Sequence, residues 1–182
     1  MAGTAYVDPA VYGQVLQIQL ERGEAGIDQT AAAMIAMIHS GAASARVQDF
    51  ARRRGLDHRS QGVAPHLFEL LKSHVRFRPD PKGVELLRHP DQLVTEIDAE
   101  GVAYGDCDDL AMLGASLCLA VGQDAALIVM APPGSSVYQH TYFAHVTSMP
   151  GYPKGHLTMI DPQECEFLGM ERPSSKRKAY PV

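Results

Sequence analysis

Apolar positions recur most regularly from Cys107 to Val121, where Leu110, Ala111, Leu113, Gly114, Leu117, Cys118 and Val121 follow the helical period and stop at Gly122. This spacing predicts one well-buried helix. Three segments follow with strand character: the continuous apolar run Ala125 to Ala131, then Tyr142 to Met149, then His156 to Asp161, separated by Pro and Gly clusters. Upstream, Val11 to Leu20 reads as a short strand in an N-terminal arm covering about residues 1–27, broken by the Gly-bearing stretch Glu21 to Gly26. Thr30 can cap a helix through Ala31, Met34, Ile35 and Ile38 that ends at Gly41, and a second helix fits Ser44 to Arg54 before Gly55. Leu67 to His74 is a short amphipathic helix, whereas Arg76 to Pro81 and the stretch up to Pro90 predict a loop or edge strand, because proline fixes φ and extends its predecessor. A helical half therefore precedes a strand-rich half, with no internal repeat.

The 182 residues suit one domain, taken as residues 1–170, followed by a polar tail over 171–182 that is expected to be mobile or held by a partner. Hydrophobic residues make up 46% and charged residues 20%, the balance of a globular chain with a buried core. A net charge of -5 argues against nucleic acid as a partner, since phosphate binding draws on Lys and Arg. Arg52, Arg53 and Arg54 suit the solvated last turn of a helix, at the negative end of its dipole. No stretch has the length or apolarity of a membrane span or a signal segment, so a cytoplasmic setting is expected. Cys107, Cys118 and Cys165 are an odd set without a C-x-x-C pair, which points to free thiols rather than a disulfide framework or a zinc site.

The candidate chemistry gathers at Gly105-Asp106-Cys107-Asp108-Asp109, where a turn becomes the main helix. First-turn N–H groups favour a thiolate and can hold an oxyanion. Asp106, Asp108 and Asp109 favour the helix start but oppose a thiolate, so the sulfur needs a cationic partner. His145 is the natural choice, with His140 and His156 as nearby rivals. A hairpin whose turn centres near residue 153 would set His145 opposite Asp161, and a carboxylate there would fix the imidazole tautomer. Each residue has a plainer reading: a buried helix-start cysteine, a satisfied histidine, a turn aspartate before Pro162. Cys118 belongs to the core face, and Cys165 has no motif around it. No cofactor is expected. Calcium is the cation that Asp106, Asp108 or Asp109 would take, although the acidic run lacks a recognisable loop motif.

At these residues the sequence resembles the transglutaminase-like superfamily, including bacterial cysteine proteinases of that type and related domains encoded by phages and prophages. In that family a Gly-Asp-Cys-[Asp or Glu]-Asp segment opens the central helix, as Gly105 to Asp109 does here ahead of Leu110 to Ala115. The family's His-Val strand is similar to Phe143-Ala144-His145-Val146, and its strand ending in Asp-Pro to Met159-Ile160-Asp161-Pro162. Upstream, Val75-Arg76-Phe77, Asp80-Pro81 and Val84 to Leu87 resemble the segment before the cysteine in phage-type members, so the likeness spans about residues 28–163. The loop Pro132 to Ser136 and the basic tail lie outside that pattern.

The resemblance implies an α+β, papain-like fold with the cysteine helix packed on an antiparallel sheet. It implies acyl transfer through a thioester, with Cys107 as nucleophile, His145 as base and Asp161 as orienting carboxylate. The substrate would be a peptide or protein amide, and the acceptor water or an amine. Tyr104 is a guess for an oxyanion donor. The alternative is a non-catalytic module of the same fold that binds phage structural proteins in a virion or tail.

Overall fold

The computed structural model describes residues 6–8, 15–18, 24–56, 62–81, 85–149 and 152–182. Strands β1 (Tyr6–Asp8) and β2 (Val15–Ile18) pair antiparallel, as an N-terminal hairpin would, although residues 9–14 lie outside the described set. Helix α1 (Glu24–Ala43) then begins six residues before the expected cap at Thr30 and runs through Gly41. Gly41 is therefore not a stop signal. A Cβ there would lie 2.7 Å from Pro90 and 2.8 Å from the Ser116 hydroxyl, so glycine lets two helices cross closely. Helix α2 (Ala45–Arg53) follows, with the Ser44 hydroxyl accepting from the Arg46 N–H. Arg52 and Arg53 pair with Asp49, and Arg53 also with Asp98, which is the solvated last turn that the arginine run predicts.

Helix α3 (Val63–His74) runs directly into β3 (Val75–Phe77), and β4 (Glu85–Arg88) pairs with β2. Helix α4 (Pro90–Glu100) is absent from the sequence-based expectation. Its start is nonetheless well marked, with Pro90 in the first turn, His89 Nδ1 accepting from the Asp91 N–H and Gly101 at φ 79° closing the other end. Strand β5 (Ala103–Gly105) pairs parallel with β3 and delivers the chain to α5 (Cys107–Ala120). Every residue of α5 from Asp108 to Cys118 is buried. An apolar surface on all sides is the mark of such a central helix.

The main sheet is four-stranded and antiparallel, in the order β8 (Tyr152–Ile160), β7 (His140–Met149), β6 (Asp124–Ala131), β9 (Lys176–Pro181). The chain is thus mixed α+β, with α5 packed on β6 and β7. Phe143, Leu127 and Ile160 join the large core with the helices, while Tyr142, Ala144, Ile128 and Ala126 form a smaller cluster on the other sheet face. Among the described residues no helix is long and apolar enough to cross a membrane.

Two expectations need correction here. The tail is not loose, because Lys176–Pro181 pairs along β6 from Ala126 to Ala131 and the Val182 N–H donates to Ala125. Strand β6 is buried from Ala125 to Ala131 and needs backbone partners on both edges, and the alternating Lys-Arg-Lys-Ala-Tyr sequence supplies a charged outer strand. Tyr180 and Lys178 also bond Asp28 at the start of α1. The second correction is the β7–β8 register. Phe143 faces Ile160 and His145 faces Thr158, with a bulge between Thr147 and Met149, so Asp161 does not lie opposite His145.

Gly114 fixes how α5 meets the sheet. A Cβ at this position would stand 2.2 Å from the ring of Phe143, itself fully buried. Gly114→Ala should cost about 2 kcal/mol or more, as overpacking of a closed core does. Chemical denaturation would read this cost, and adding Phe143→Leu should recover part of it.

Candidate functional site

Each residue of the Gly105–Asp109 motif has a structural task. Asp106 caps α5, its carboxylate accepting from the N–H groups of Asp108 at 3.1 Å and Asp109 at 3.4 Å. Asp109 is almost fully buried and accepts from the Arg88 N–H at 2.9 Å, tying α5 to β4. Arg88 in turn donates to the Tyr104 carbonyl and to Glu96. Gly105 leaves room for this pin, since a Cβ there would fall 2.7 Å from an Asp109 carboxylate oxygen. Cys107 is left in the first turn with its own N–H outside the Asp106 cap.

The local electrostatics oppose the expected thiolate. Burial pushes the Cys107 thiol well above its ordinary pKa, and Asp108 and Asp106 push it further, while a hydrogen bond from the Thr141 backbone works the other way. The Cys107 Sγ lies 3.6 Å from an Asp108 carboxylate oxygen. Burial, with Asp108 and Asp80 nearby, also raises Asp106 to about 7. Asp109 is raised by burial and by Asp106, and Asp80 by burial. Burial, with Asp108 and Asp106 beside the sulfur, thus favours the protonated thiol.

The histidine that borders the same space as this cysteine is His140. It lines the same two cavities as Cys107, one of about 250 Å³ and one of about 450 Å³, with Gln139 as the third shared wall. Its Nε2 lies 2.7 Å from Oδ2 of Asp161. Only 12% of the His140 side chain and 4% of the Asp161 side chain are exposed, so the pair is held away from bulk water. The Glu164 N–H donates to Oδ1 of Asp161, and the Cys165 N–H bonds the Asp161 carbonyl, so the turn after β8 anchors the carboxylate. His140 also stacks on Tyr142, ring centroids 5.8 Å apart.

His145 sits elsewhere. Its Nε2 is 2.9 Å from the Gln123 side-chain oxygen and its Nδ1 is 3.3 Å from the Thr147 hydroxyl, and burial lowers its pKa. Gln123 follows the C-terminal end of α5, whereas Cys107 opens that helix, whose fourteen residues at about 1.5 Å each make it roughly 21 Å long. The structure therefore does not bring Cys107, His145 and Asp161 together; Asp161 meets His140, which shares its cavities with Cys107. The cause is register. Asp161 continues β8 one residue past Ile160, opposite Tyr142, which makes His140 its diagonal neighbour on the same sheet face. Shifting the pairing by three residues exchanges the two faces, because strand side chains alternate.

Tyr104 lies apart from both cavities. It is 41% exposed with the Arg78 guanidinium 5.5 Å above its ring, and it does not line either cavity beside Cys107. Gln139 and Gln163 line the larger cavity instead. Cys118 is fully buried in the core as expected, and the Cys165 thiol points to the Met170 carbonyl at 3.4 Å. Among the described residues, no three His, Cys, Asp or Glu side chains are grouped to hold a metal ion.

The raised Asp106 carboxyl gives a stability signature. Its folded pKa of about 7 lies above the ordinary 3.8, so the folded chain binds the extra proton between those values. Stability from this group is fully present below about pH 4 and falls as pH rises toward 7. Asp106→Asn keeps a capping oxygen without the charge. Thermal melts should show the variant several degrees more stable than the parent at pH 8 and little changed at pH 4.5.

No family model, curated protein or solved structure matches this chain, so its functional reading rests on the residues and their arrangement.

Proposed function

We propose that the chain is a cysteine-dependent acyl-transfer enzyme acting on amide bonds, of the transglutaminase-like kind, with Cys107 as nucleophile, His140 as base and Asp161 as orienting carboxylate. The observation that carries this reading is the 2.7 Å contact between His140 and Asp161 beside cavities that Cys107 also lines. A helix-start cysteine, a strand histidine and a carboxylate on the neighbouring strand are the parts that this chemistry needs.

The contact also sets the tautomer. Because the Asp161 carboxylate can only accept, Nε2 of His140 carries the proton and Nδ1 is free to act as base. The resting thiol is protonated, so its proton passes to Nδ1 as sulfur attacks the amide carbon. His140 then gives that proton to the leaving nitrogen, the C–N bond breaks and a thioester remains. Water or an amine attacks the thioester, His140 takes the acceptor's proton, and the sulfur leaves with it. The Cys107 N–H, which Asp106 does not cap, and the side-chain amides of Gln139 and Gln163 are the nearby donors for the oxyanion.

Hydrolysis of a fluorogenic peptide amide tests the assignment. Cys107→Ala should remove turnover, and His140→Ala should lower kcat by roughly 10²–10⁴-fold. His145→Ala should leave kcat within about threefold, since its ring lies at the other end of α5. Equal losses from the two histidine variants, with both folded, would remove the proposed role of His140. Alkylation of Cys107 by iodoacetamide should be slow at pH 7 and accelerate steadily to pH 9, because the thiol is not pre-ionised.

A further inference from the structure

The cavity beside the cysteine does not end at the reacting groups. Phe77 and Gln163 are shared between the 450 Å³ cavity and another of about 220 Å³, which lies between α3, β3 and Pro162. The walls of this outer compartment are Leu71, Val75, Leu110 and Pro162, and its charged groups are Lys72 and Arg76. Phe77 stands 56% exposed at the junction, although a phenyl ring this open to water gains by being covered.

The two cations are held by neutral groups. Lys72 Nζ donates to the Glu166 carbonyl at 2.8 Å and lies 5.1 Å from the centre of the Phe68 ring. Arg76 donates to the Lys72 carbonyl at 3.0 Å and the Val75 carbonyl at 3.2 Å. Among the described residues neither has a carboxylate partner, whereas Arg172 at the larger cavity is neutralised by Glu164. A last-turn lysine suits the α3 dipole and Arg76 caps the Lys72 carbonyl at the same helix end, so two cations gather there without a carboxylate between them. Gln163 adds a third feature, because its side-chain oxygen is buried without a hydrogen-bond partner at the junction of the two compartments. A buried acceptor of this kind is satisfied by an N–H donor.

We infer that the compartment formed by Lys72, Arg76, Phe77 and Gln163 is a substrate subsite for a peptide segment bearing a carboxylate side chain or terminus. The peptide N–H meets Gln163, an apolar part covers Phe77, and the carboxylate lies between Lys72 and Arg76. This rests on the acyl-transfer reading for what happens at Cys107, but the binding selectivity is a separate property of the surface. It makes the enzyme selective for acidic peptides on one side of the scissile amide. The opposite cavity, with Asp106 and Asp108 in its walls and no Lys or Arg, does not accept that end.

Binding and turnover separate the two claims. The full chain carrying Cys107→Ala is titrated into neutral-dye-labelled octapeptides that differ only in Glu, Gln or Lys two to four residues from a central amide, and anisotropy is read. The Glu peptides should bind roughly fivefold to tenfold more tightly than the Lys peptides, as one or two partly shielded ion pairs allow, and added salt should shrink the ratio. Adding Lys72→Glu and Arg76→Glu should reverse the order, and the corresponding Gln variants should abolish it without reversal. Binding that ignores charge, a preference unchanged by these substitutions, or no binding by any peptide would each overturn the subsite. With the native cysteine restored, absence of turnover on peptides that bind selectively would count against the acyl-transfer reading alone.

Discussion

The arrangement depends on α5 lying flat against the main sheet while its first turn stays pinned at the surface. Gly114 and Phe143 set the contact distance in the middle of the helix, and Asp109 fixes the start by holding the Arg88 N–H. Because interiors are packed at crystal-like density, neither end can slide without opening a void or a clash. The cysteine is therefore presented at a fixed height beside the first residues of β7.

That pin brings an electrostatic cost, which shapes the chemistry. Asp109 and Asp106 serve the helix start, yet Asp106 and Asp108 also stand beside the thiol. Burial, Asp108 and Asp106 favour the protonated sulfur. A base that removes the proton during attack suits this setting better than one that stores a charge beforehand. Asp106 and Asp109 carry raised pKa values of their own, which couples the helix cap to pH.

Around that centre the surface is divided by charge. The cavity toward α1 has Asp106 and Asp108 in its walls, while the compartment beyond Phe77 carries Lys72 and Arg76. Cys107, Gln139 and His140 form the ridge between the first cavity and the larger one next to it. A peptide lying across the ridge would thus meet opposite potentials at its two ends, and complementarity of that kind fixes direction more than raw affinity.

Much of the molecule was legible in the chain. Helical periodicity and the Gly105–Asp109 motif located α5 and its cysteine, and apolar runs located β6, β7 and β8, because these signals depend on neighbours within one element. Asp161 was legible too, as the last residue before a proline at a strand end. Helix α4 went unseen although Pro90 and Gly101 mark its ends, and Lys176–Pro181 read as a tail because an edge strand's alternation resembles ordinary polar sequence. Choosing between His140 and His145 required the register of β7 on β8. A local pattern leaves register free to slip, and here a three-residue difference moved Asp161 to the other face of the sheet. The residue types that could do chemistry were determined by sequence alone; which of them meet was decided by tertiary packing, since pairing across strands is set by bulges and turns that single-strand patterns do not encode.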